Sequence, residues 1–311
     1  MLDVRRMRVL REVAARGSFS SAAEALAYTQ SAVSQQIAAL EREAGTVLVE
    51  RMPRGVRLTD AGRALVGHAE VILARLADAE AELDAMAGLR GGRLRLTTFA
   101  TAGATVVPRA IAEFRRRHPG VELSLEPEEP QDGLARLRAG EADIALTITA
   151  GAGEGPGDDV ELHHLLDDPM YLLLPARHRL ATCARPRLAD LADEEWMIGA
   201  TGRCPDTAIL LRACQAAGFE PRIAFHSDDY LAIQGFVAAG FGVSMIPDLA
   251  LVAVRDDVVV RSLGARPPLR IISAATLAGS WSSPAKAAML GVLREVSSGF
   301  SADRRELALA S

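Results

Sequence analysis

The apolar positions at the start of the chain follow a helical period. Four of them recur at three- and four-residue spacings: Met7, Leu10, Val13 and Ala14. This spacing predicts a helix over residues 3–16, which Gly17 ends because glycine accepts the left-handed conformation of a helix C-terminus.

Two shorter helical patterns follow, separated by a break at Tyr28. The first has a narrow face of small apolar residues, and we expect Ser20 or Ser21 to cap it. The second is expected to begin after Thr29, another good N-cap. Its inward positions recur at i, i+4 and i+7: Val33, Ile37 and Leu40. The pair predicts a helix-turn-helix.

The opposite face of the second helix is small or polar and almost uncharged. Its members are Gln30 in the first turn and then Ser31, Ser34, Gln35 and Ala38. An ordinary solvated face would carry Glu, Lys and Arg, whereas Gln and Ser can read base edges in a major groove. This face therefore predicts a DNA-recognition helix.

Residues 47–51 and 56–58 are expected to form two strands joined by a turn at 53–55. Arginines accompany this hairpin: Arg51, Arg54 and Arg57. A hairpin beside a helix-turn-helix is a winged arrangement, and its arginines can bind phosphates or enter the minor groove.

Thr59 is expected to cap a long helix that begins at Asp60 and ends near residue 87. An apolar seam runs along it: Leu65, Ile72, Leu76, Ala79, Leu83 and Met86. From Ile72 the intervals are those of a heptad repeat, which has to be buried either on its own chain or, as is usual for a helix between two domains, on a second copy. The seam predicts a dimerisation helix.

Beyond Gly92 the pattern changes to alternating strands and helices. Strands are expected at 93–98, 121–125, 143–147, 170–174, 196–198, 222–225, 243–246, 258–263 and 269–273. Helices are expected at 105–118, 134–139, 206–217, 230–239 and 284–297. The βαβαβ series over 93–147 predicts a largely parallel sheet, whose ligands bind at the carboxyl ends of the strands, and a second α/β unit follows it.

The stretch SFSSAAEALAYTQSAVSQQIAALE, followed by LVER and RLTDAG, resembles the LysR-type transcriptional regulators. The resemblance continues through QGFVAAGFGVSMIPDLAL and covers nearly the whole chain. It implies a winged helix-turn-helix at 1–58, a linker and dimerisation helix at 59–89, and a tail at 301–311. Between them, at 90–300, it implies a periplasmic-binding-protein-like effector domain of two Rossmann-like lobes. Lobe I is expected at about 90–163 and 267–300, and lobe II at about 164–266.

The resemblance implies a regulator of transcription that binds double-stranded operator DNA. Its expected DNA contacts are Ser20, Thr29, Gln30, Ser31, Ser34, Gln35, Arg51 and Arg54. A homodimer would form through the linker helix and would assemble into a homotetramer. Because a dimer presents two recognition helices, its operator is expected to be roughly palindromic.

The same resemblance places a small-molecule effector between the two lobes. The candidate effector-binding residues are Phe99, Thr101, Thr147, Thr201 and Arg203. Phe99 stands where many relatives have Ser or Thr and suggests an apolar wall, and Arg203 is a candidate counter-charge for a carboxylate. Three acids bunch after the second strand of lobe I: Glu126, Glu128 and Glu129. We expect them in a solvated loop, although acids that lined the cleft would favour a cation.

Composition adds a local charge asymmetry. The chain of 311 residues is 49% hydrophobic, 24% charged and carries a net charge of −5, as a soluble globular protein does. Residues 1–60 have nine arginines and seven acids, and the remainder has 26 basic and 33 acidic residues. A net charge of +2 on residues 1–60, the head, and of −7 on the remainder fits DNA binding by the head alone. With no signal sequence and no membrane-spanning run recognisable, we expect a cytoplasmic protein.

Three cysteines do not form a disulfide framework or a metal motif. Cys204 before a helix and Cys214 on it suggest an alternative, a thiol-based redox sensor of the same family. A cytoplasmic solute-binding protein is a further alternative that leaves the head unexplained. The chain has no GxSxG motif, P-loop or metal-ligand spacing, so we predict neither an enzyme nor a cofactor.

Overall fold

A computed structural model describes residues 1–52, 55–86, 92–150, 155–199, 205–264, 266–280 and 282–310. The chain divides into two compact units. One comprises Met1–Leu89 with Arg138–Glu141, and the other comprises Arg90–Leu137 with Ala142–Ser311. In the described parts of the chain, no helix combines the length and apolarity that crossing a membrane requires.

The first unit contains four helices and a two-stranded wing. The helices are α1 (Val4–Arg16), α2 (Phe19–Ala25), α3 (Gln30–Ala44) and α4 (Asp60–Met86), and the strands are β1 (Val49–Met52) and β2 (Gly55–Leu58). Met7, Leu10 and Val13 of α1 and the three predicted inward positions of α3 share one apolar core with α2 and the wing, whereas Ala14 is half-buried outside it. The helix-turn-helix is therefore held by the periodic positions of its own sequence.

The expected cap of α2 was wrong. The Oγ of Ser18, and not that of Ser20 or Ser21, accepts a hydrogen bond from the amide of Ser21 at 3.1 Å. Ser18 has extended backbone angles, so α2 begins at Phe19. Three adjacent candidates stand in the sequence, and only backbone conformation decides which of them lies at the cap.

The second unit contains the remaining elements. Its strands are β3 (Arg93–Thr98), β4 (Glu122–Pro127), β5 (Ile144–Thr149), β6 (Val160–Pro175), β7 (Glu195–Ile198), β8 (Arg222–His226), β9 (Val243–Pro247), β10 (Val258–Ser262) and β11 (Leu269–Leu277). Its α-helices are α5 (Ala100–Gly103), α6 (Val106–Arg117), α7 (Pro130–Arg138), α8 (Pro205–Ala216), α9 (Tyr230–Ala238) and α10 (Pro284–Ala310). Two short 3₁₀ helices cover Leu188–Leu191 and Asp248–Val252.

These strands follow the order β4-β3-β5-β11-β6-β9-β7-β8, with β10 also paired to β6. Pairing is parallel at β4-β3-β5 and at β9-β7-β8. It is antiparallel wherever β6 or β11 takes part. The parallel pairing expected for the βαβαβ series over 93–147 is therefore confirmed in β3, β4 and β5, whereas the sheet as a whole is mixed because β11 runs antiparallel to β5 and β6 runs antiparallel to β9.

Strand β6 joins two lobes. Its residues 160–169 pair with β11 in lobe I, and its residues 170–175 pair with β9 and β10 in lobe II. The predicted strand covered only 170–174. The first ten residues were missed because His163, His164 and Pro169 interrupt the apolar pattern there.

The last helix also extends further than predicted. The prediction ended it at Ser297, but α10 continues through Ser297, Ser298 and Gly299 to Ala310. Phe300, just past these residues, is 7% exposed and belongs to the core of lobe I. Burial of that aromatic side chain outweighs the poor helix propensity of the three residues before it.

Candidate functional site

The recognition helix α3 begins as predicted. The Oγ1 of Thr29 accepts a hydrogen bond from the amide of Ala32 at 3.2 Å and lies 3.0 Å from the Oγ of Ser31. Val33, Ile37 and Leu40 are buried in the core of the first unit. Burial of these three side chains fixes which face of α3 points outward.

The predicted DNA contacts on the two helices lie on the surface of the first unit. Ser20, Thr29, Gln30, Ser31 and Gln35 are exposed, and Ser34 is half-buried. The uncharged face of α3 is thus available to a major groove, and Thr29 combines exposure with its capping role.

Backbone contacts hold the wing against the helices. The amide of Val56 donates to the carbonyl of Gly17 at 2.9 Å. Gly55 has a φ of +115°, and a Cβ there would lie 2.5 Å from the same carbonyl oxygen. Glu41 of α3 accepts hydrogen bonds from the amides of Leu48 and Val49 at 2.9 and 3.2 Å. These contacts couple the wing rigidly to α3, and only the tertiary structure reveals the role of Glu41.

Of the three wing arginines, Arg57 has a described side chain. Arg57 donates to Glu50 on the facing strand at 2.6 Å, and both side chains are exposed to solvent. Arg51 belongs to β1, and its side chain lies outside the described residues, as does all of Arg54. Arg57 would have to exchange its carboxylate partner for a phosphate.

Helix α4 begins as predicted, since the Oγ1 of Thr59 accepts from the amide of Gly62 at 3.0 Å. Farther along, three positions of the heptad seam are exposed: Ile72 at 39%, Leu76 at 47% and Leu83 at 65%. An exposed row of large apolar side chains at heptad spacing is typical of a helix that packs on a second helix.

A cleft lies between the two lobes of the second unit and holds about 580 Å³ of empty space, including its mouth. Its apolar lining includes Phe99, Ile148, Met197, Ile198, Leu210, Ile233 and Met245. Its polar lining includes Thr101, Glu129, Asp206, Thr207, Ser227, Asp228, Tyr230, Ser244 and Arg270. A largely apolar lining with a few polar groups is the usual form of a small-molecule site.

Arg270 organises the base of this cleft. Its Nε donates to Asp168 at 2.7 Å, its Nη1 to Asp206 at 2.8 Å and its Nη2 to Thr101 at 2.6 Å. The guanidinium also lies 5.5 Å from the ring centroid of Phe99. Because Thr101 belongs to lobe I and Asp206 to lobe II, one buried cation connects both lobes.

The carboxylates around Arg270 are themselves constrained. Asp168 is 1% exposed, and the amide of Leu249 donates to it at 3.1 Å. Burial raises the pKa of Asp168 to about 6, although the neighbouring Arg270 charge opposes that change. Asp206 accepts from the hydroxyl of Tyr230 through the same oxygen that faces Arg270. The hub formed by Arg270, Asp168 and Asp206 is therefore a hydrogen-bonded network and not a simple ion pair.

The predicted effector residues divide into three groups. Phe99 and Thr101 line the cleft, where Phe99 precedes the short helix α5 and Thr101 lies in its first turn. Thr147 is 2% exposed, pairs with Ser273 within the sheet and is absent from the described lining, so its effector role stays a prediction without support from the cleft. Thr201 and Arg203 lie outside the described residues.

The acidic run after β4 also needs a correction. Arg136 pairs with Glu126, and with Glu128 at 2.8 Å, so these two are surface ion-pair partners. Glu129 is half-buried and lines the cleft instead of a solvated loop. Burial raises the pKa of Glu129, and the nearby charges of Asp228, Asp206 and Asp132 raise it further.

The sequence reading missed the hub formed by Arg270, Asp168 and Asp206. Part of its signal was present, because Arg270 is a charged residue inside an otherwise uncharged strand, where a buried charge is found only with partners. The pairing of Arg270 with Asp168 could not be read from the sequence, since 102 positions separate them.

Two family models match the chain. The model described as "Bacterial regulatory helix-turn-helix protein, lysR family" matches residues 4–63, and the LysR substrate binding domain matches residues 87–298. LrrA of Synechococcus elongatus, described as a probable HTH-type transcriptional regulator, is 32% identical over 296 residues, which cover 94% of this chain and 97% of LrrA. The HTH-type transcriptional regulator CbbR of Rhodospirillum rubrum is 32% identical over 246 residues, or 78% of each chain.

Solved structures of full-length regulators share the fold. A full-length OxyR variant from Pseudomonas aeruginosa has a TM-score of 0.73 at 24% identity and covers 94% of this chain and 98% of its own. CbnR, a LysR family transcriptional regulator, has a TM-score of 0.65 at 23% identity, with coverage of 95% and 99%. Together with the winged head and the two-lobed domain, these matches establish that the chain belongs to the LysR family of transcriptional regulators.

Proposed function

We propose that this regulator reads an operator with the outward face of α3 and clamps the flanking backbone with its wing. The observation that carries the proposal is the exposed, uncharged Gln and Ser face of a helix whose opposite face is buried. Gln35 is exposed in the second turn, where a side chain can pair with adenine in the major groove. A CbnR structure described as a complex with its target DNA supports this use of the fold.

Fluorescence anisotropy with the DNA upstream of the gene tests this proposal. Gln35→Ala is expected to cost about 1–3 kcal/mol against the preferred sequence and little against unrelated DNA, since a base contact is lost. Gln215→Ala is the matched control, because Gln215 is also exposed on a helix but belongs to the second unit. Equal operator affinity for both variants would refute the assignment of α3.

The wing is proposed to act through Arg51 and Arg54, and its contribution should not depend on sequence. Arg54→Ala is expected to weaken binding to specific and unrelated DNA alike and to reduce the salt dependence by about one counterion. A loss confined to the preferred operator would contradict a phosphate role for this arginine.

We also propose that α4 pairs with α4 of a second copy. The exposed seam of Ile72, Leu76 and Leu83 supports this, because water would otherwise cover three large apolar side chains. Leu76→Asp is expected to lower the molar mass in analytical ultracentrifugation, whereas the matched change Leu211→Asp, at another exposed helical leucine, should not. The resemblance further predicts a homotetramer. A molar mass of only two chains, measured for the unsubstituted protein, would refute it.

The cleft is proposed to hold an effector that changes DNA binding. Its largely apolar lining supports a small organic molecule, and its position between the lobes lets occupancy bias their closure. A metabolite screen by thermal shift on the full chain, followed by anisotropy on the operator, tests this. Ligands that raise the melting temperature but never alter operator affinity or DNA bending would refute regulation through the cleft.

The redox alternative finds less support. Cys214 is fully buried in the core of lobe II, and burial raises its pKa to about 11. A thiol with that pKa is almost entirely protonated at neutral pH and therefore unreactive. Cys204 lies outside the described residues, so the alternative has no geometric argument in its favour.

A further inference from the structure

Three elements of the head meet where the wing begins. Helix α3 ends at Ala44, strand β1 begins at Val49 and helix α4 begins at Asp60. Residues 47–49 are named the wing root here, because β1 leaves the loop after α3 at this point. The register of the hairpin pairs Val49 with Leu58, so the wing also ends beside its own root. The wing root therefore lies between the recognition helix and the linker helix along the chain and in the fold.

The carboxylate of Glu41 holds the wing root to α3. Its Oε1 accepts hydrogen bonds from the amide of Leu48 at 2.9 Å and from the amide of Val49 at 3.2 Å. Glu41 is half-buried, and a carboxylate accepts more strongly from amide N–H groups than a neutral oxygen does. The last turn of α3 is thus tied to the first residues of the wing.

Helix α4 holds the same wing root through its N-terminus. The amide of Thr59 donates to the carbonyl of Leu48 at 3.0 Å, and its hydroxyl donates to the carbonyl of Val47 at 2.8 Å. That hydroxyl also accepts from the amide of Gly62 at 3.0 Å. The first turn of α4 lies so close that a Cβ on Gly62 would be 2.1 Å from the carbonyl oxygen of Leu48.

Leu48 consequently connects the two helices through its own backbone. Its N–H group is bound by Glu41 of α3, and its C=O group is bound by Thr59 at the start of α4. Its side chain is 1% exposed and belongs to the apolar core of the head. A change in the direction of α3 relative to α4 would therefore break at least one of these contacts.

The apolar core does not supply this direction by itself. Side chains of α1, α3 and α4 share that core, so packing through α1 also keeps the helices together. The hydrophobic effect is non-directional and resists separation more than small rotations. A hydrogen bond weakens steeply when its N–H···O angle departs from linearity. The contacts at the wing root therefore add a directional constraint to the apolar one.

A small tilt of α3 has a large effect on DNA. Gln30, at the start of α3, lies 11 residues before Glu41. At about 1.5 Å per residue, this is a lever of about 16 Å. A tilt of about 12° at Glu41 would move the DNA-facing end of α3 by about 3.3 Å, nearly the rise of about 3.4 Å per base pair. In a dimer joined through α4, such a tilt in each copy changes the distance between the two recognition helices.

We infer that Glu41 and Thr59 are positioning residues that set the half-site spacing of the operator through the wing root. Half-site spacing is a geometric property of a dimer, because it mirrors the separation of the recognition helices. The inference rests on the proposed function, since it needs α3 to read bases and α4 to pair with a second copy. It assigns a selectivity for distance to residues that need not contact a base.

Spacing variants of the operator test this inference on the full chain. The half-sites are located by footprinting the unsubstituted protein on the upstream DNA, and base pairs are then inserted or removed between them. Fluorescence anisotropy is expected to show a preference of about tenfold or more for the native spacing, because other spacings require deformation. Glu41→Ala should reduce this ratio by about threefold or more, since a loosened α3 is less preorganised for one distance. Thr59→Val, which removes the hydroxyl and keeps the shape, should do the same.

Matched variants separate positioning from stability. Glu43 also lies on α3, but its carboxylate binds Arg6 and the amide of Asp3 instead of the wing root. Glu43→Ala should therefore lower the melting temperature and leave the spacing ratio unchanged. Glu41→Gln and Thr59→Ser keep an oxygen at each contact and should retain most of the spacing ratio.

The outcomes distinguish this inference from the proposed function. Circular dichroism establishes which variants fold, and either folded variant, Glu41→Ala or Thr59→Val, decides the result. A variant that keeps the parent's spacing ratio, or that loses affinity equally at every spacing, would overturn the inference alone. So would an equal loss of the ratio in Glu43→Ala, which would assign the effect to stability. A parent protein without any preferred spacing would refute paired reading by two copies, and the inference with it.

Discussion

Replacing Arg270 with methionine removes a buried cation that two carboxylates share. The side chains of Arg270 and Asp168 are each 1% exposed, and that of Asp206 is 9% exposed. Methionine has a similar length and is apolar, so it leaves little cavity, but Asp168 and Asp206 lose their cationic partner. Removing one partner of a buried ion pair costs about 3–5 kcal/mol, mostly because an unpaired charge remains.

This loss should be visible in thermal unfolding of the full chain followed by circular dichroism. For a domain of about 200 residues, each kcal/mol lowers the melting temperature by about 2–4 °C, so the transition should fall by about 6–20 °C. Arg255→Met is the matched control. Arg255 pairs with Asp257 at 2.7 Å, but the two side chains are 48% and 47% exposed, and such surface pairs contribute about 1 kcal/mol or less.

A second variant identifies the cause. If unpaired charge is the cost, then adding Asp168→Asn to Arg270→Met should restore part of the lost stability, since one abandoned charge is gone. Lowering the pH should also help Arg270→Met more than the parent, because an unpaired buried acid accepts a proton readily. A fall in melting temperature no larger than that of Arg255→Met would refute the view of Arg270 as the hub of the two lobes.

Three further predictions concern pH, the wing and the linker helix. The pKa of Asp168 is about 6 in the fold against 3.8 in the unfolded chain, so protonation of Asp168 stabilises the fold. This stabilisation is complete below about pH 4 and is lost as the pH rises through 6. Denaturant unfolding across this range should therefore show a drop of up to about 3 kcal/mol that Asp168→Asn lacks, and parallel pH profiles would contradict it. Gly55→Ala should destabilise the first unit by about 1–3 kcal/mol and weaken operator binding in anisotropy. The reason is that Gly55 has a φ of +115° and that a Cβ there would lie 2.5 Å from the Gly17 carbonyl oxygen. An unchanged free energy of unfolding would count against this. Gly67→Ala, at an exposed position of α4 with open space around it, should instead stabilise the unit by about 1 kcal/mol, and a loss in thermal unfolding would contradict that reasoning.

The elements of the head were predictable because their signals are local. Val33, Ile37 and Leu40 lie within two turns of one helix, and Thr29 caps that helix three residues before the amide it binds. Spacing and capping are properties of neighbouring residues, so a sequence pattern contains them. The exposed seam of α4 belongs to the same class, because heptad spacing is visible without any knowledge of a partner.

The cleft depends on contacts that no local pattern encodes. Asp168 and Arg270 are paired by the register of β6 on β11, and Asp206 reaches them from a helix of the other lobe. Strand pairing likewise decides the surroundings of Thr147, which is 2% exposed and lies beside Ser273 of β11.

The sequence by itself determined the LysR-type head, the linker helix and the two-lobed class of the second domain, since periodicity, caps and family motifs are short-range. The tertiary structure alone decided the mixed sheet, the crossing strand β6 and the acidic lining of the cleft. Glu129 illustrates the physical reason. Beside Glu128 it looks like any solvated acid, and only the packing of distant strands and helices gives it a half-buried position with Asp206 and Asp228 as neighbours.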